Sequence, residues 1–218
     1  MASSGPKRLT PPSPPAHFAT LDLSTVSPSR LEVFRLSHER YASPLFFLRG
    51  GIYRFDSSTA AWGVCYLGHT LETAFLEVFA DAIRTQEIDY SDLHAILAWK
   101  VALPSDLNVL KLEGTTLPKI KATVQSFVSR YSISQAWGRA FMSHPANLDG
   151  VIYQGRRSAG ECLALFGDTD PAKGRLHQPL LRPTKLGRVT EWSHFYRFID
   201  QTGARVTHLP SKRPRVTW

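Results

Sequence analysis

The sequence predicts an α+β fold built around one core. Predicted strands outnumber predicted helices, and the two do not alternate regularly, as they would in a doubly wound α/β sheet. The 218 residues are 43% hydrophobic and 20% charged, which is typical of a folded globular chain and is enough for one sizeable core. The composition therefore excludes a disordered or fibrous protein.

The first part of the chain is predicted to contain an arm followed by short strands. Residues 1–18 hold five of the fifteen prolines, so we expect this arm to lack fixed structure. A strand is predicted over residues 29–36. The Gly50–Gly51 turn should lead into a short strand at 52–55, and an apolar run predicts another strand at 64–67.

A helix is predicted next, over residues 71–85. Thr70 is its expected N-cap, because a threonine side chain can accept a hydrogen bond from a free N–H group of the first turn. Six apolar residues recur at helical spacing and form one stripe: Leu71, Ala74, Phe75, Val78, Phe79 and Ala82. Glu77 lies on the opposite face, where periodicity alone predicts a solvated carboxylate.

Four strands and two helices are predicted in the middle of the chain. The strands lie at 95–103, 107–112, 148–153 and 162–166, and the helices at 118–131 and 135–142. The last two strands are separated by the polar, glycine-containing loop 154–161, which indicates that they are neighbours in the sheet.

The net charge of +8 is located in the C-terminal part of the chain. Residues 173–218 carry ten lysines and arginines but only two acids, so they account for the whole excess. Such a region can bind nucleic acid, an acidic partner or a phosphorylated ligand, or can simply keep the surface soluble. We expect one domain over residues 19–218, with this basic extension packed on it in part and Ser211–Trp218 mobile or bound to a partner. The packing is expected from four aromatic residues, Trp192, Phe195, Tyr196 and Phe198.

Several classes of protein are excluded by features that the sequence lacks. No run approaches the ~20 apolar residues that span a bilayer, and the polar N-terminus has no secretory signal, so a cytoplasmic protein is expected. Cys65 and Cys162 lie in apolar runs and are expected to be buried free thiols, with a single disulfide as the alternative. The eight histidines are scattered, so no metal is expected; His69 is notable because it lies between a strand and a helix.

The most informative motifs lie between Arg35 and Phe166. They are a Gly50-Gly51-x-x-Arg54 turn, a strand ending in Tyr66-Leu67, Glu77 eleven positions after Tyr66, an Asp149-Gly-x-x-Tyr153 strand, and Leu163-x-Leu165-Phe166. This combination resembles the RES-domain family, which is named after its arginine, glutamate and serine. The resemblance covers roughly residues 31–168.

The sequence departs from the family pattern at two places. The family turn is Gly-Gly-Arg, whereas Ile52 and Tyr53 precede Arg54 here. The family serine would fall at Gly155, and the nearest serine is Ser158. Either the loop shifts so that Ser158 takes this role, or the role is lost.

The resemblance implies an ADP-ribosyltransferase-like fold, with a mixed or antiparallel central sheet and flanking helices, that binds NAD as its substrate. Family members are toxins of toxin–antitoxin systems that break the nicotinamide–ribose bond by hydrolysis or phosphorolysis, without a metal and with inorganic phosphate as co-substrate in the second case. The implied partner is an antitoxin with a helix-turn-helix-type DNA-binding part.

The resemblance also implies a set of site residues. They are Glu77, Tyr66, Arg54 and Ser158 for catalysis and Arg35, Arg54, Tyr66 and Arg156 for NAD binding. Glu77 would stabilise the positive charge that develops on the ribose when the bond breaks. Arg35 and Arg54 would bind the pyrophosphate oxygens, because guanidinium groups bind such oxygens in pairs.

The remaining implied residues would position the substrate. Tyr66 would stack on the nicotinamide or orient the ribose. Ser158 would hold the ribose or an attacking phosphate, assisted by the neighbouring Arg156 and Arg157.

Two other functions remain open at this stage. One is an ADP-ribosyltransferase that uses the same NAD site to modify a protein or a nucleic acid. The other is a non-catalytic nucleic-acid-binding module, which the basic extension favours. Aromatic residues do not generally interleave with basic ones there in the pattern that stacks bases, which counts against this last function.

Overall fold

The computed structural model describes residues 10–28, 31–167 and 181–209. Its strands are β1 Val33–His38, β2 Gly63–Gly68, β3 Glu87–Asp89, β4 Ile96–Ala102, β5 Val109–Lys111, β6 Gly150–Gln154, β7 Glu161–Gly167, β8 Arg182–Arg188 and β9 Arg205–Thr207. Its helices are α1 Leu71–Arg84, α2 Tyr90–His94, α3 Thr116–Lys119, α4 Gln125–Val128, α5 Tyr131–Met142 and α6 Phe195–Thr202. Single 3-10 turns lie at Phe18–Thr20 and Val189–Glu191. This order of elements confirms the predicted α+β class.

Seven strands form one mixed sheet in the order β5-β6-β7-β2-β1-β4-β8. β5 and β6 are parallel, and every other pair of neighbours in this sheet is antiparallel. β1 pairs with β4 along its whole length, and β2 does the same with β7. By contrast, β1 and β2 pair only at Phe34 and Gly68. We call this weakly paired line the β1–β2 seam.

Helices cover one face of the sheet in two separate blocks. α5 packs over β2, β6 and β7 through a cluster that includes Trp137 and Phe141. α1 and α6 pack over β1, β4 and β8 through a cluster that includes Phe75 and Phe195. The opposite face is covered partly by Leu45 from the loop after β1. The two blocks therefore stand on either side of the β1–β2 seam and leave a cleft above it.

Helix α1 is fixed at its N-terminal end by the predicted cap. Thr70 Oγ1 accepts a hydrogen bond from Thr73 N at 3.1 Å, which satisfies one of the free N–H groups of the first turn. The helix lies directly on the end of β2, where a Cβ atom on Gly68 would lie 2.6 Å from Ala74 N. This close approach sets the height of α1 above the sheet.

The predicted strand at 52–55 is wrong, because this segment forms a turn. Asp56 Oδ2 accepts hydrogen bonds from Ile52 N at 3.0 Å and from Tyr53 N at 2.9 Å. The amides that would pair in a ladder are therefore bound by a carboxylate within the turn, and the alternating apolar pattern has no sheet partner.

Other predicted boundaries also change. The helix predicted over 118–131 is wrong, because the chain forms the two short helices α3 and α4 with Lys121 between them. Lys121 has a φ of 57°, a left-handed conformation that an α-helix of L-residues does not continue through. α5 begins at Tyr131, four residues before its predicted start, and β1 begins at Val33 instead of at residue 29.

The C-terminal region contributes elements that the sequence analysis did not predict. β8 is an edge strand of the main sheet, while α6 buries Phe195 and Ile199 beneath it, and Trp192 is buried as well. Residues 168–180 and 210–218, and with them the end that was predicted to be mobile, lie outside the described residues. Within the described ranges, no helix is long and apolar enough to cross a membrane.

The described part of the proline-rich arm packs against α5. Trp137 Nε1 donates a hydrogen bond to the Pro12 carbonyl oxygen at 3.0 Å. Phe18 is buried, and its ring meets that of Trp137 edge-on at 5.4 Å. Residues 10–18 therefore pack on α5, in contrast to the expected unstructured arm, because the burial of Phe18 in the core stabilises this packing.

Candidate active site

A cavity of about 440 Å³ lies in the cleft between α1 and the N-terminal end of α5. Four of the predicted site residues line it: Arg35, Arg54, Tyr66 and Glu77. Its volume falls within the range of small-molecule sites. The other two predicted residues, Ser158 and the exposed Arg156, are not among the lining residues, whereas Arg157 between them is.

Glu77 projects from α1 and is held by the loop after β6. Its Oε1 accepts hydrogen bonds from Arg157 N at 3.0 Å, from Ser158 N at 3.1 Å and from Ser158 Oγ at 3.0 Å. Its Oε2 accepts none from the described residues. One carboxylate oxygen is therefore anchored by three donors, and the other remains available to a ligand.

The Ser158 hydroxyl occupies the space that a side chain at position 155 would need. A Cβ atom on Gly155 would lie 2.6 Å from Glu77 Oε1 and even closer to Ser158 Oγ. The loop is closed by Gly155 N, which donates to the Gly160 carbonyl oxygen at 2.8 Å, and by Gly160 N, which donates to Ser158 Oγ at 3.2 Å. The Ser158 hydroxyl thus lies beside Glu77, where a shifted loop was expected to place it. That Ser158 takes part in turnover stays a prediction.

Arg54 lies deep in the cleft and is only 7% exposed. It donates a hydrogen bond to the Phe127 carbonyl oxygen, and its guanidinium carbon lies 5.7 Å from the centre of the Tyr131 ring. Among the described residues, no carboxylate forms an ion pair with it. A buried charge without a counter-ion is costly, so this guanidinium is suited to an anionic ligand.

Tyr66 holds the turn that carries Arg54. Its hydroxyl donates to Asp56 Oδ1 at 2.9 Å and accepts from Phe55 N at 3.1 Å. Burial raises the pKa of Tyr66 well above its ordinary value, so the hydroxyl stays protonated and keeps donating. The hydroxyl is thus used within the protein, and it is the ring that faces the cavity.

Arg35 bridges the β1–β2 seam. Its Nη1 donates to the Tyr66 carbonyl oxygen, and its Nε donates to the Pro44 carbonyl oxygen at 3.2 Å. Leu48 forms an isolated bridge with Val64 on the same edge of β2. Arg35 therefore supplies a hydrogen bond across the part of the seam where β1 and β2 do not pair.

Several cavity residues were missed by the sequence analysis, among them Tyr53, Tyr131, Tyr153 and Cys162. Tyr153 and Cys162 face each other across β6 and β7 and line the cavity next to Glu77. Burial raises the pKa of Cys162 to about 12, and the Glu77 charge adds to this effect. Cys162 is therefore a neutral thiol and not an activated nucleophile. Both residues lie in apolar runs, and only the strand register places them on the face that Tyr66 occupies.

Arg157 and His69 also have specific partners. Arg157 Nη2 forms an ion pair with Asp81 Oδ2 at 3.1 Å at the rim of the cavity. His69 Nδ1 lies 3.3 Å from Glu161 Oε2 and lines a second, more open cavity of about 590 Å³ at the start of α1, which does not include Glu77. Within the described ranges, no three His, Cys, Asp or Glu side chains are grouped so as to hold a metal ion.

The buried thiols follow the prediction. Cys65 and Cys162 are both free and buried, because they lie on opposite faces of the sheet in separate apolar clusters. The alternative of a single disulfide is therefore not realised.

Comparisons with known proteins agree with this geometry. The family model described as the RES domain matches residues 32–188. Among solved structures, the chain is similar to the M. tuberculosis MbcT–MbcA toxin–antitoxin complex, with 17% sequence identity and a TM-score of 0.55 over 75% of this chain and 87% of that chain. No curated protein matches the chain. The structural likeness confirms the fold that the resemblance implied.

Proposed function

The chain belongs to the RES-domain family, and from this premise we propose that it consumes NAD by breaking the bond between nicotinamide and its ribose. The observation that carries the proposal is that one cleft contains both an anchored carboxylate and a buried cation that has no ion-pair partner among the described residues. Glu77 supplies the carboxylate and Arg54 supplies the cation. NAD carries a ribose that becomes positive as the bond breaks and a pyrophosphate that is already negative.

The reaction needs a negative charge at the ribose. When the bond between the ribose carbon and the ring nitrogen breaks, both electrons go to the nitrogen and neutral nicotinamide leaves. The sugar becomes an oxocarbenium-like cation. The Oε2 of Glu77, which accepts no hydrogen bond from the described residues, would stabilise this cation, and the donors that hold Oε1 keep the carboxylate in place without further reorganisation.

Arg54 would bind the pyrophosphate. Its buried guanidinium has N–H groups that the single bond to Phe127 does not use, and arginine binds phosphate oxygens in pairs. Because Tyr66 and Asp56 fix the turn that carries Arg54, this binding would also place the ribose relative to Glu77.

The reaction also needs an acceptor for the ADP-ribosyl group, and three acceptors are compatible with the proposed site. Water would give ADP-ribose and release its proton to solvent. Inorganic phosphate would form a bond from one of its oxygens to the ribose carbon and give ADP-ribose 1-phosphate. A protein or nucleic-acid nucleophile would become ADP-ribosylated. The products identify the acceptor.

The test is to incubate the purified protein with NAD, with and without phosphate, and to identify the products by chromatography and mass spectrometry. We expect Glu77→Gln to lower turnover by at least about 10²-fold, because it removes the charge opposite the cation. Glu72→Gln is the matched control, because Glu72 lies on the same helix outside the cavity. Wild-type turnover in Glu77→Gln would reject the role of Glu77, and no NAD loss with the wild type would reject the proposal.

We further propose that the protein is a toxin neutralised by an antitoxin partner with a DNA-binding part. This is supported by the family and by the likeness to a toxin–antitoxin complex. Expression should lower cellular NAD and stop growth, and Glu77→Gln should do neither. Co-purification of a partner that restores growth would support the pairing, and growth arrest at an unchanged NAD level would contradict the link to NAD.

A further inference from the structure

Two tyrosines at the mouth of the cleft have exposed rings and fixed backbones. Tyr53 is 45% exposed and Tyr131 is 40% exposed, and both line the cavity. Tyr53 N donates to Asp56 Oδ2, and Gln135 Nε2 donates to the Tyr53 carbonyl oxygen at 3.0 Å. Tyr131 is the first residue of α5. Within the described ranges, neither phenol hydroxyl forms a hydrogen bond.

The two tyrosines have different ring neighbours. The Tyr53 ring meets the Tyr66 ring edge-on at 5.8 Å, whereas the Arg54 guanidinium lies over the Tyr131 ring. The exposed part of the Tyr131 ring lines the cavity on the α5 side of the cleft. Such a ring suits a flat heteroaromatic ring better than a sugar or a phosphate.

The neighbours of Arg54 indicate a ligand for the Tyr131 ring. Glu77 and Arg54 are both close enough to Tyr153 and Cys162 to act on them electrostatically, and the Tyr131 ring packs against the Arg54 guanidinium. The cation therefore neighbours the aromatic ring and shares its surroundings with the carboxylate. A dinucleotide likewise carries its pyrophosphate between its nicotinamide ribose and its adenosine.

We infer that the Tyr131 ring is the binding site for the adenine ring of the substrate. The inference rests on the proposed function, because it uses the ribose at Glu77 and the pyrophosphate at Arg54 to fix the direction of the molecule. It follows that the cleft selects a dinucleotide over nicotinamide mononucleotide, which has the same reacting bond but no adenine.

The test compares NAD with nicotinamide mononucleotide as substrates of Tyr131→Ala. We expect the KM for NAD to rise about tenfold, as for the loss of one base–aromatic stack. We expect kcat for NAD to change less than this KM, and the KM for the mononucleotide to rise less than the KM for NAD, since loss of the ring also removes its packing against Arg54. Tyr131→Phe should behave as wild type, because the hydroxyl makes no hydrogen bond with the described residues.

Tyr41→Ala is the matched control. Tyr41 is 53% exposed and has an arginine guanidinium, that of Arg40, 5.0 Å from its ring centre, but it does not line the cavity. Its substitution should change neither KM. An equal rise of KM for both substrates in Tyr131→Ala, or a Tyr131→Ala enzyme that behaves like Tyr41→Ala, would overturn the inference.

A binding measurement separates this inference from the proposed function. Adenosine monophosphate contains the adenine but not the reacting bond, so its affinity can be measured by calorimetry without turnover. We expect Tyr131→Ala to weaken this binding about tenfold, and equal binding by the two proteins would overturn the inference. A wild type that binds adenosine monophosphate through Tyr131 but leaves NAD intact would reject the proposed function alone.

Discussion

Ser158 and Gly155 compete for one space beside Glu77. The hydroxyl of Ser158 reaches Glu77 Oε1 at 3.0 Å because Gly155 has no side chain in the way. A comparison of aligned positions would therefore score residue 155 as a lost serine, although a serine hydroxyl is present at that place in space. The relation between the two residues makes their substitutions interdependent.

We predict that Gly155→Ser and Ser158→Ala each lower NAD turnover about tenfold. The first crowds Glu77 and Ser158, and the second removes one donor to a charged oxygen, a bond typically worth about 1.5–3 kcal/mol. The double substitution Gly155→Ser with Ser158→Ala should recover most of the activity, because one hydroxyl again occupies the space. Steady-state kinetics in a double-mutant cycle measures this coupling.

The control for this cycle is Ser143→Ala, since Ser143 is exposed and does not line the cavity. Thermal unfolding of each variant distinguishes a loss of activity from a loss of fold. Additive effects of the two substitutions would contradict the shared space, and an inactive but folded double variant would show that Ser158 must keep its own position.

At the scale of elements, the turn that carries Arg54 depends on one buried carboxylate. Asp56 is fully buried and accepts hydrogen bonds from Ile52 N, from Tyr53 N and from the Tyr66 hydroxyl. Three donors converge on its two oxygens. This turn, which contains no regular secondary structure, therefore sets the position of the cation in the cleft.

We predict that Asp56→Ala lowers the free energy of unfolding by about 2–4 kcal/mol and raises the KM for NAD. The cost follows from leaving buried donors without acceptors, about 1–3 kcal/mol for each such group. Asp106→Ala is the control, because Asp106 is exposed. Urea unfolding measures the stability difference, and a variant as stable as the control would contradict the role of Asp56.

Elements with strong periodicity could be predicted from the sequence, and elements defined by side-chain contacts could not. α1 and its Thr70 cap follow from local spacing. The segment 52–55 has an apolar pattern suited to a strand, but the Asp56 carboxylate binds its amides, and no local pattern reveals such an acceptor. β8, at Arg182–Arg188, has little apolar alternation because it is an edge strand, so its sequence does not resemble that of a buried strand.

Some residues of the candidate site could likewise be predicted from the sequence, and others could not. Tyr66 and Glu77 could be assigned to the site because their eleven-residue spacing matches the RES-domain pattern, whereas periodicity alone predicted a solvated carboxylate at Glu77. Tyr153 and Cys162 could not, because their place beside Glu77 depends on the register of β6 and β7 with β2. Arg156 was predicted from its proximity to Ser158 in the sequence, but it is Arg157 that lines the cavity.

At the scale of the whole molecule, part of the basic C-terminal region belongs to the sheet. Arg182 and Lys185 are exposed on β8, where charged side chains discourage the pairing of an edge strand with other chains. This gives part of the +8 charge a role in solubility, and so weakens the case that the charge alone indicates nucleic-acid binding. The same region buries Phe195 and Ile199 against α1 and its neighbours.

We predict that a chain ending at Leu181 does not fold cooperatively, because it lacks β8, α6 and β9 and exposes β4 and the cluster around Phe75. A chain ending at Leu209 keeps these elements and is the control. Calorimetry and far-UV circular dichroism measure the transition. A cooperative transition in the shorter chain would show that residues 182–209 are an addition to a domain that is complete without them.

The β1–β2 seam divides the hydrogen-bonded ladder of the main sheet into two parts. Within each part the strands pair along their lengths, whereas between the parts only Phe34 and Gly68 pair. Side chains join the two parts elsewhere: the Arg35 guanidinium bridges the seam, and the apolar cluster on the opposite face contains residues from both parts, such as Val33 and Cys65. The floor of the cleft therefore depends on side-chain contacts more than on backbone pairing.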